Sequence, residues 1–257
     1  MNIMAKIAVF DSGLGSLSII REIQKLIKAE IIYFGDQRNF PYGKKSKSEL
    51  KKIIKNTIKM LNERFAPDMI VVGSNTPTII LNIEDKDVIG VRPPLKQAEK
   101  ISKTKNIGIV ATQSTINSRE LSKFIKDSRL NPSTKIHKIN GSELVELVES
   151  GKFLKKKLFC KKIIEKNLKN ILHKENIDVV TLSSTHLPFL RKKLEKEFPD
   201  IKFIDSANIV AEKIQKKFQN KQEKRNRLRI FSSGDIDKFE KNLRKLGIKN
   251  RVTFLSF

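Results

Sequence analysis

Thiols are almost absent from this chain: Cys160 is the single cysteine in 257 residues. One thiol can build neither an internal disulfide framework nor a thiolate metal cluster. Cys160 sits among Leu154, Leu158, Ile163 and Ile164 in a lysine-rich stretch with roughly helical spacing. That setting reads as a small core residue rather than a nucleophile. No apolar run reaches the ~18 residues of a membrane span. Met1 to Lys6 lead into a strand with no signal-peptide pattern, so a cytoplasmic protein with no membrane partner is expected. The glycine turn after the first strand is not a full dinucleotide fingerprint, because Ser18 takes the place of the third glycine. There is no Gly-x-Ser-x-Gly elbow either.

Acidic residues are also scarce beside basic ones, and the formal charge is +25. Such a charge suits nucleic acid or another anionic partner. Here the lysines are spread along most helices, without aromatic interleaving and without a helix-turn-helix or finger motif. A solvated basic surface that draws in anionic substrates is the simpler reading. The densest run, Lys216 to Arg229, is the candidate nucleic-acid contact.

What the chain does have is a repeated pattern of buried strands ending in small polar turns. Ile7 to Phe10 is a strand, Asp11 to Ser16 a turn, and Leu17 to Ile27 a helix with Leu17, Ile20, Ile23 and Ile27 on one stripe. Its glycines permit a tight turn, which is suited to binding a carboxylate. Glu30 to Phe34 is a strand followed by a long polar loop containing Pro41, Tyr42 and Gly43; an amphipathic helix then opens at Ser46 or Ser48 and runs to about Arg64. Met69 to Val72 is a buried strand that breaks into Ser74-Asn75-Thr76. About one hundred residues later the order recurs: Ile107 to Val110 into Ala111 to Ser118, then Val179 to Leu182 into Ser183 to His186. Two such units in the same order argue for an internal duplication. Alternating strands and helices predict two parallel-sheet α/β lobes. Pro93-Pro94 marks the crossover, and the strands Arg229 to Ser233 and Arg251 to Phe254 are expected to complete the first lobe. The predicted division is 1–94 with 208–257, and 95–207.

These stretches together resemble the glutamate racemases of the aspartate/glutamate racemase superfamily, over nearly the whole chain. The resemblance rests on Ile7-Ala-Val-Phe-Asp-Ser-Gly-Leu-Gly15, Tyr33-Phe-Gly-Asp36, Pro41-Tyr42-Gly43 and Ser74-Asn-Thr76. It continues through Ile107 to Thr115, Ser184-Thr-His186 with Pro188, and Ile204-Asp-Ser-Ala207. It implies two pseudo-symmetric lobes, each a mainly parallel sheet flanked by helices, with an active-site cleft between them. It also implies a cofactor-independent, metal-free interconversion of L- and D-glutamate by two cysteines, which supplies D-glutamate for peptidoglycan. A homodimer is the common family form, and some members act on DNA gyrase.

At both cysteine positions this chain has serine, Ser74 and Ser184. A thiol ionises near pH ~8.5 and can be pushed lower, whereas an alcohol ionises far higher. Each unit of mismatch costs about 1.36 kcal/mol of proton-transfer driving force, and acid–base catalysis needs the pKa near the working pH. Racemisation is therefore expected to be lost or very weak, while the near-isosteric pocket still binds a small acidic amino acid or related carboxylate. By resemblance, Asp11 assists at Ser74 and His186 at Ser184. Ser12, Asn75, Thr76, Thr112, Thr115 and Thr185 bind the substrate, Pro41-Tyr42-Gly43 forms a wall, and Glu149 matches a family acidic position. Pro77 and Leu187 depart from the family pattern and imply a reshaped pocket. Natural divergence and a deliberate double substitution both remain open. So do two other readings: a non-catalytic regulatory protein associated with gyrase or nucleic acid, and an enzyme of altered chemistry using Ser184 and His186.

Overall fold

A computed structural model describes residues 5–218 and 225–256. Its strands in chain order are β1 (Lys6–Asp11), β2 (Glu30–Gly35), β3 (Met69–Val72), β4 (Val88–Gly90), β5 (Asn106–Ala111), β6 (Lys135–Asn140), β7 (Val179–Leu182), β8 (Lys202–Ile204), β9 (Arg227–Ser232) and β10 (Val252–Phe254). The chain divides into two compact units, Met1–Val91 with Ala207–Phe257, and Arg92–Ser206.

The first unit holds a six-stranded sheet in the order β10-β9-β2-β1-β3-β4, and its neighbouring strands pair parallel. Strands covered on both faces cannot alternate apolar with polar residues, so they read as continuous apolar runs. Ile7 to Phe10 and Ile31 to Phe34 are such runs, fully buried. β9 and β10 extend the sheet beyond β2, so the returning chain closes the sheet its beginning opened.

Three helices matter for the site in this unit. α1 (Leu17–Leu26) presents Leu17, Ile19, Ile20 and Ile23 to the core and packs against the helix Ala207–Phe218. α2 (Lys47–Phe65) starts from Ser46, whose hydroxyl accepts from the Glu49 amide while the Glu49 carboxylate accepts from the Ser46 amide. This capping box satisfies two amide donors that would otherwise lack partners. α3 (Asn75–Leu81) begins directly after the β3 tip. Between β2 and α2 the loop is not featureless. It carries two 3₁₀ turns, Gln37–Asn39 and Tyr42–Lys44, and buries Tyr42 in the same apolar cluster as Phe10, Phe34, Leu50 and Phe231.

The second unit holds a four-stranded parallel sheet in the order β6-β5-β7-β8. The β2-β1-β3-β4 portion of the first sheet has the same order, second strand, first, third, fourth. The shared topology is the structural counterpart of the sequence repeat. Cys160, on the helix Lys157–Lys174, is buried in the core, and burial pushes its thiol up against a smaller opposing pull from Lys193.

Candidate active site

In the first unit the site is built where β1 and β3 end. The Gly73 amide donates to the Phe10 carbonyl at 2.8 Å, and the Ser16 hydroxyl donates to the Gly73 carbonyl at 3.1 Å. A Cβ at position 73 would lie 2.1 Å from Ser16 Oγ, so only glycine lets the two turns approach this closely. Asp11 ends β1, is buried, and accepts from the Ser12 amide at 2.7 Å. Tyr33 donates to the Gly13 carbonyl and pins the glycine turn from below.

Ser74 follows this turn with extended backbone, φ −141° and ψ 128°, at the N-cap of α3. Its side chain makes no capping bond; instead its carbonyl accepts from Thr78 at 2.8 Å. Among the described residues the Ser74 hydroxyl has no hydrogen-bond partner. Asn75 and Thr76 are buried beside it. Asn75 Nδ2 donates to the Val91 carbonyl at 3.2 Å, whereas its buried Oδ1 has no partner. An unpaired buried amide oxygen costs about 1–3 kcal/mol unless a donor meets it.

Asp36, immediately after β2, organises the neighbouring loop. Its fully buried carboxylate accepts from Asn39 Nδ2 (3.0 and 2.9 Å), the Tyr42 hydroxyl (3.0 Å) and the Ser233 hydroxyl (3.0 Å). Burial first, and then the charges of Asp36 and Asp11, push the Tyr42 phenol well above its ordinary range, so it stays a neutral donor. Tyr42 is thus a core anchor of the loop, flanked by half-buried Pro41 and Gly43. Sequence reasoning singled out neither Asp36 as a hub nor Ser233; the only signal was Asp36's place at a strand end.

In the second unit the corresponding tip follows β7. The Ser183 amide donates to the Val110 carbonyl at 2.8 Å, just as the Gly73 amide donates to Phe10. Ser74 and Ser184 are therefore at one station, each the second residue past the third strand of its sheet. Ser184, Thr185 and His186 are all buried. Among the described residues the Ser184 hydroxyl also has no partner. Thr112, just after β5, contacts the hydroxyls of Ser114 (3.2 Å) and Thr115 (3.0 Å). His186 Nε2 meets Glu149 Oε2, the carboxylate of the last residue of the helix Ser142–Glu149.

Chemically, each tip offers a free hydroxyl beside groups suited to proton handling or to binding a charged amino acid. Among the described residues no three His, Cys, Asp or Glu side chains converge as metal ligands would, and no helix is long and apolar enough to cross a membrane. The basic run Lys216 to Arg229 lies partly outside the described residues.

No family model matches the chain. A crystal structure of the glutamate racemase isoform RacE1 from Bacillus anthracis superposes with a TM-score of 0.83 over 98% of both chains, at 27% identity. The two parallel-sheet units are thus those of the amino-acid racemase class. In sequence, the chain is 32% identical over 242 residues to the glutamate racemase of Clostridium novyi, covering 89% of this chain and 91% of that one. It is 35% identical over 228 residues to the glutamate racemase of Buchnera aphidicola, covering 85% and 87%. The chain belongs to the glutamate racemase family.

Proposed function

We propose that this protein binds glutamate, or a closely similar small acidic amino acid, and racemises it very slowly or not at all. The observation that carries the reading is the shared station of Ser74 and Ser184, each two residues past the third strand of a matching sheet. By resemblance to the family these are the positions of the two proton-transferring cysteines. Among the described residues neither hydroxyl has a hydrogen-bond partner, so no acceptor is bonded to either serine to draw off its proton.

Binding is supported by what surrounds the serines. Asn75 Oδ1 is an acceptor that a substrate ammonium could satisfy. The Thr112 and Thr115 hydroxyls, with those of Thr76 and Thr185, supply donors for carboxylates. Asp11 and the His186–Glu149 pair are the groups that, beside a thiolate, would steer its proton. Beside an alcohol they face a base several pKa units out of range, and each unit removes about 1.36 kcal/mol of driving force.

The test is α-proton exchange of glutamate in deuterated water. The chain as it stands should show little or none, and the Ser74→Cys, Ser184→Cys double variant should show exchange together with L-to-D conversion. A double variant that binds no acidic amino acid would remove the substrate assignment.

A further inference from the structure

A cavity of about 310 Å³ opens in the first unit, lined by Arg38, Asn39, Lys52, Asn56, Ser233 and Ser256, with Ile53, and by no residue of the serine tip. Its walls come from the carboxyl ends of three parallel strands: Asn39 follows β2, Ser233 follows β9 and Ser256 follows β10. Ligands of parallel α/β sheets bind at that edge. The remaining wall is α2, where Lys52 and Asn56 lie one turn apart and so share a face.

The residues that line it include two positive charges and no negative one. Among the described residues neither Arg38 nor Lys52 has an acidic partner within ion-pair distance. Arg38 is held in place from behind, because its amide donates to the Ser233 hydroxyl at 3.1 Å and that hydroxyl donates to buried Asp36. Asn39 is fixed by the same carboxylate. The loop that carries the guanidinium is thus positioned before any ligand arrives.

We infer that this cavity is a binding site for a compact dianion, a phosphate group or a small dicarboxylate, held by the Arg38 fork and the Lys52 ammonium. A planar guanidinium pairs with such an anion through two parallel hydrogen bonds, and the ammonium adds a point charge. Asn56 and Ser256 supply neutral donors at the rim. The inference does not depend on the racemase reading, since neither serine lines the cavity and its ligand undergoes no reaction. Because Asn39 and Ser233 belong both to the cavity wall and to the Asp36 cluster, occupancy should also be sensed at Tyr42.

The experiment is calorimetric titration of the full chain, at an ionic strength of about 150 mM to suppress diffuse counter-ion binding. Inorganic phosphate and succinate are the two probes. Saturable binding of either that persists in the presence of saturating glutamate supports the site, and whichever binds more tightly identifies the ligand's chemistry. The Arg38→Ala, Lys52→Ala double variant should weaken that binding at least tenfold, and Arg38→Lys, which keeps the charge and loses the fork, by less. Lys55→Ala with Lys59→Ala, on the same helix, should leave it unchanged. In amide-resolved NMR, the side-chain amides of Asn39 and Asn56 should shift with the same affinity. Absence of saturable binding to both probes overturns the inference. So does equal binding by the double variant, or shifts that bypass both asparagines.

Discussion

His186 Nε2 lies 2.8 Å from Glu149 Oε2, and the two side chains expose only 7% and 14% of their surface. A carboxylate there accepts the ring's Nε2 hydrogen and fixes both the tautomer and the ring orientation. In the Ser74→Cys, Ser184→Cys background, Glu149→Gln should lower α-proton exchange about 10²-fold, the usual scale of one acid–base contribution. Measured exchange within about twofold of the parent would show that the pair only packs.

The contact between Ser16 and Gly73 makes a stability prediction. Gly73→Ala places a methyl 2.1 Å from Ser16 Oγ and 3.2 Å from the Phe10 carbonyl, so the two turns must separate. Overpacking of this kind costs about 1–3 kcal/mol. Ser16→Gly should restore part of the loss, giving a coupling between the two sites in a double-mutant cycle of urea midpoints. Strictly additive effects would mean that the turns do not bear on each other.

Tyr42→Phe removes one donor from a fully buried carboxylate that would keep Asn39 and Ser233. Leaving such an acceptor short costs about 1–3 kcal/mol, measurable in the same urea series. The phenol's raised pKa gives the sign of its pH effect. Its stabilising contribution is complete below the unfolded value of ~10 and is lost only as pH climbs through the higher folded value. Wild type and Tyr42→Phe should therefore differ by the same amount from pH 7 to 9; a gap that closes within that range would contradict this.

How much of this could be read from residues alone follows from distance along the chain. The strands and their parallel pairing were legible because runs such as Ile31 to Phe34 are apolar at every position, as two-sided burial demands. A helix start at Ser46 or Ser48 was legible; the choice of Ser46 was not made, although its capping partner Glu49 is only three residues away. Ser74 and Ser184 stood out because strand and turn recur in order. The Asp36 cluster was not legible, since Ser233 reaches it from 197 residues away. Nor was the partnership of His186 with Glu149, 37 residues apart. Tyr42 read as part of a loop because its burial depends on Phe231 and Leu50, which only the folded sheet and α2 bring to it.

Asp178 offers a prediction in the second unit, at acid pH. Burial opposes its charge, but the Ser102 hydroxyl (2.6 Å), the Thr104 and Lys103 amides and the Thr104 hydroxyl together hold its carboxyl below the ordinary range. A depressed folded value contributes stability in full above the unfolded pKa of ~3.9, and loses it as pH falls through the folded value. Asp178→Asn should be less stable than wild type at pH 7, with the gap narrowing below pH about 4. An undiminished gap at pH about 2 in thermal melts would show that the carboxylate's charge is not what these donors hold.

The central claim is that two alcohols stand where proton transfer needs two thiols, and one measurement meets it directly. Incubated with L-glutamate in deuterated water, the protein with both serines should leave the α-proton in place, while the Ser74→Cys, Ser184→Cys protein exchanges it and produces D-glutamate. Exchange by the two-serine protein at an ordinary enzymatic rate of about 1 s⁻¹ or more would contradict this claim.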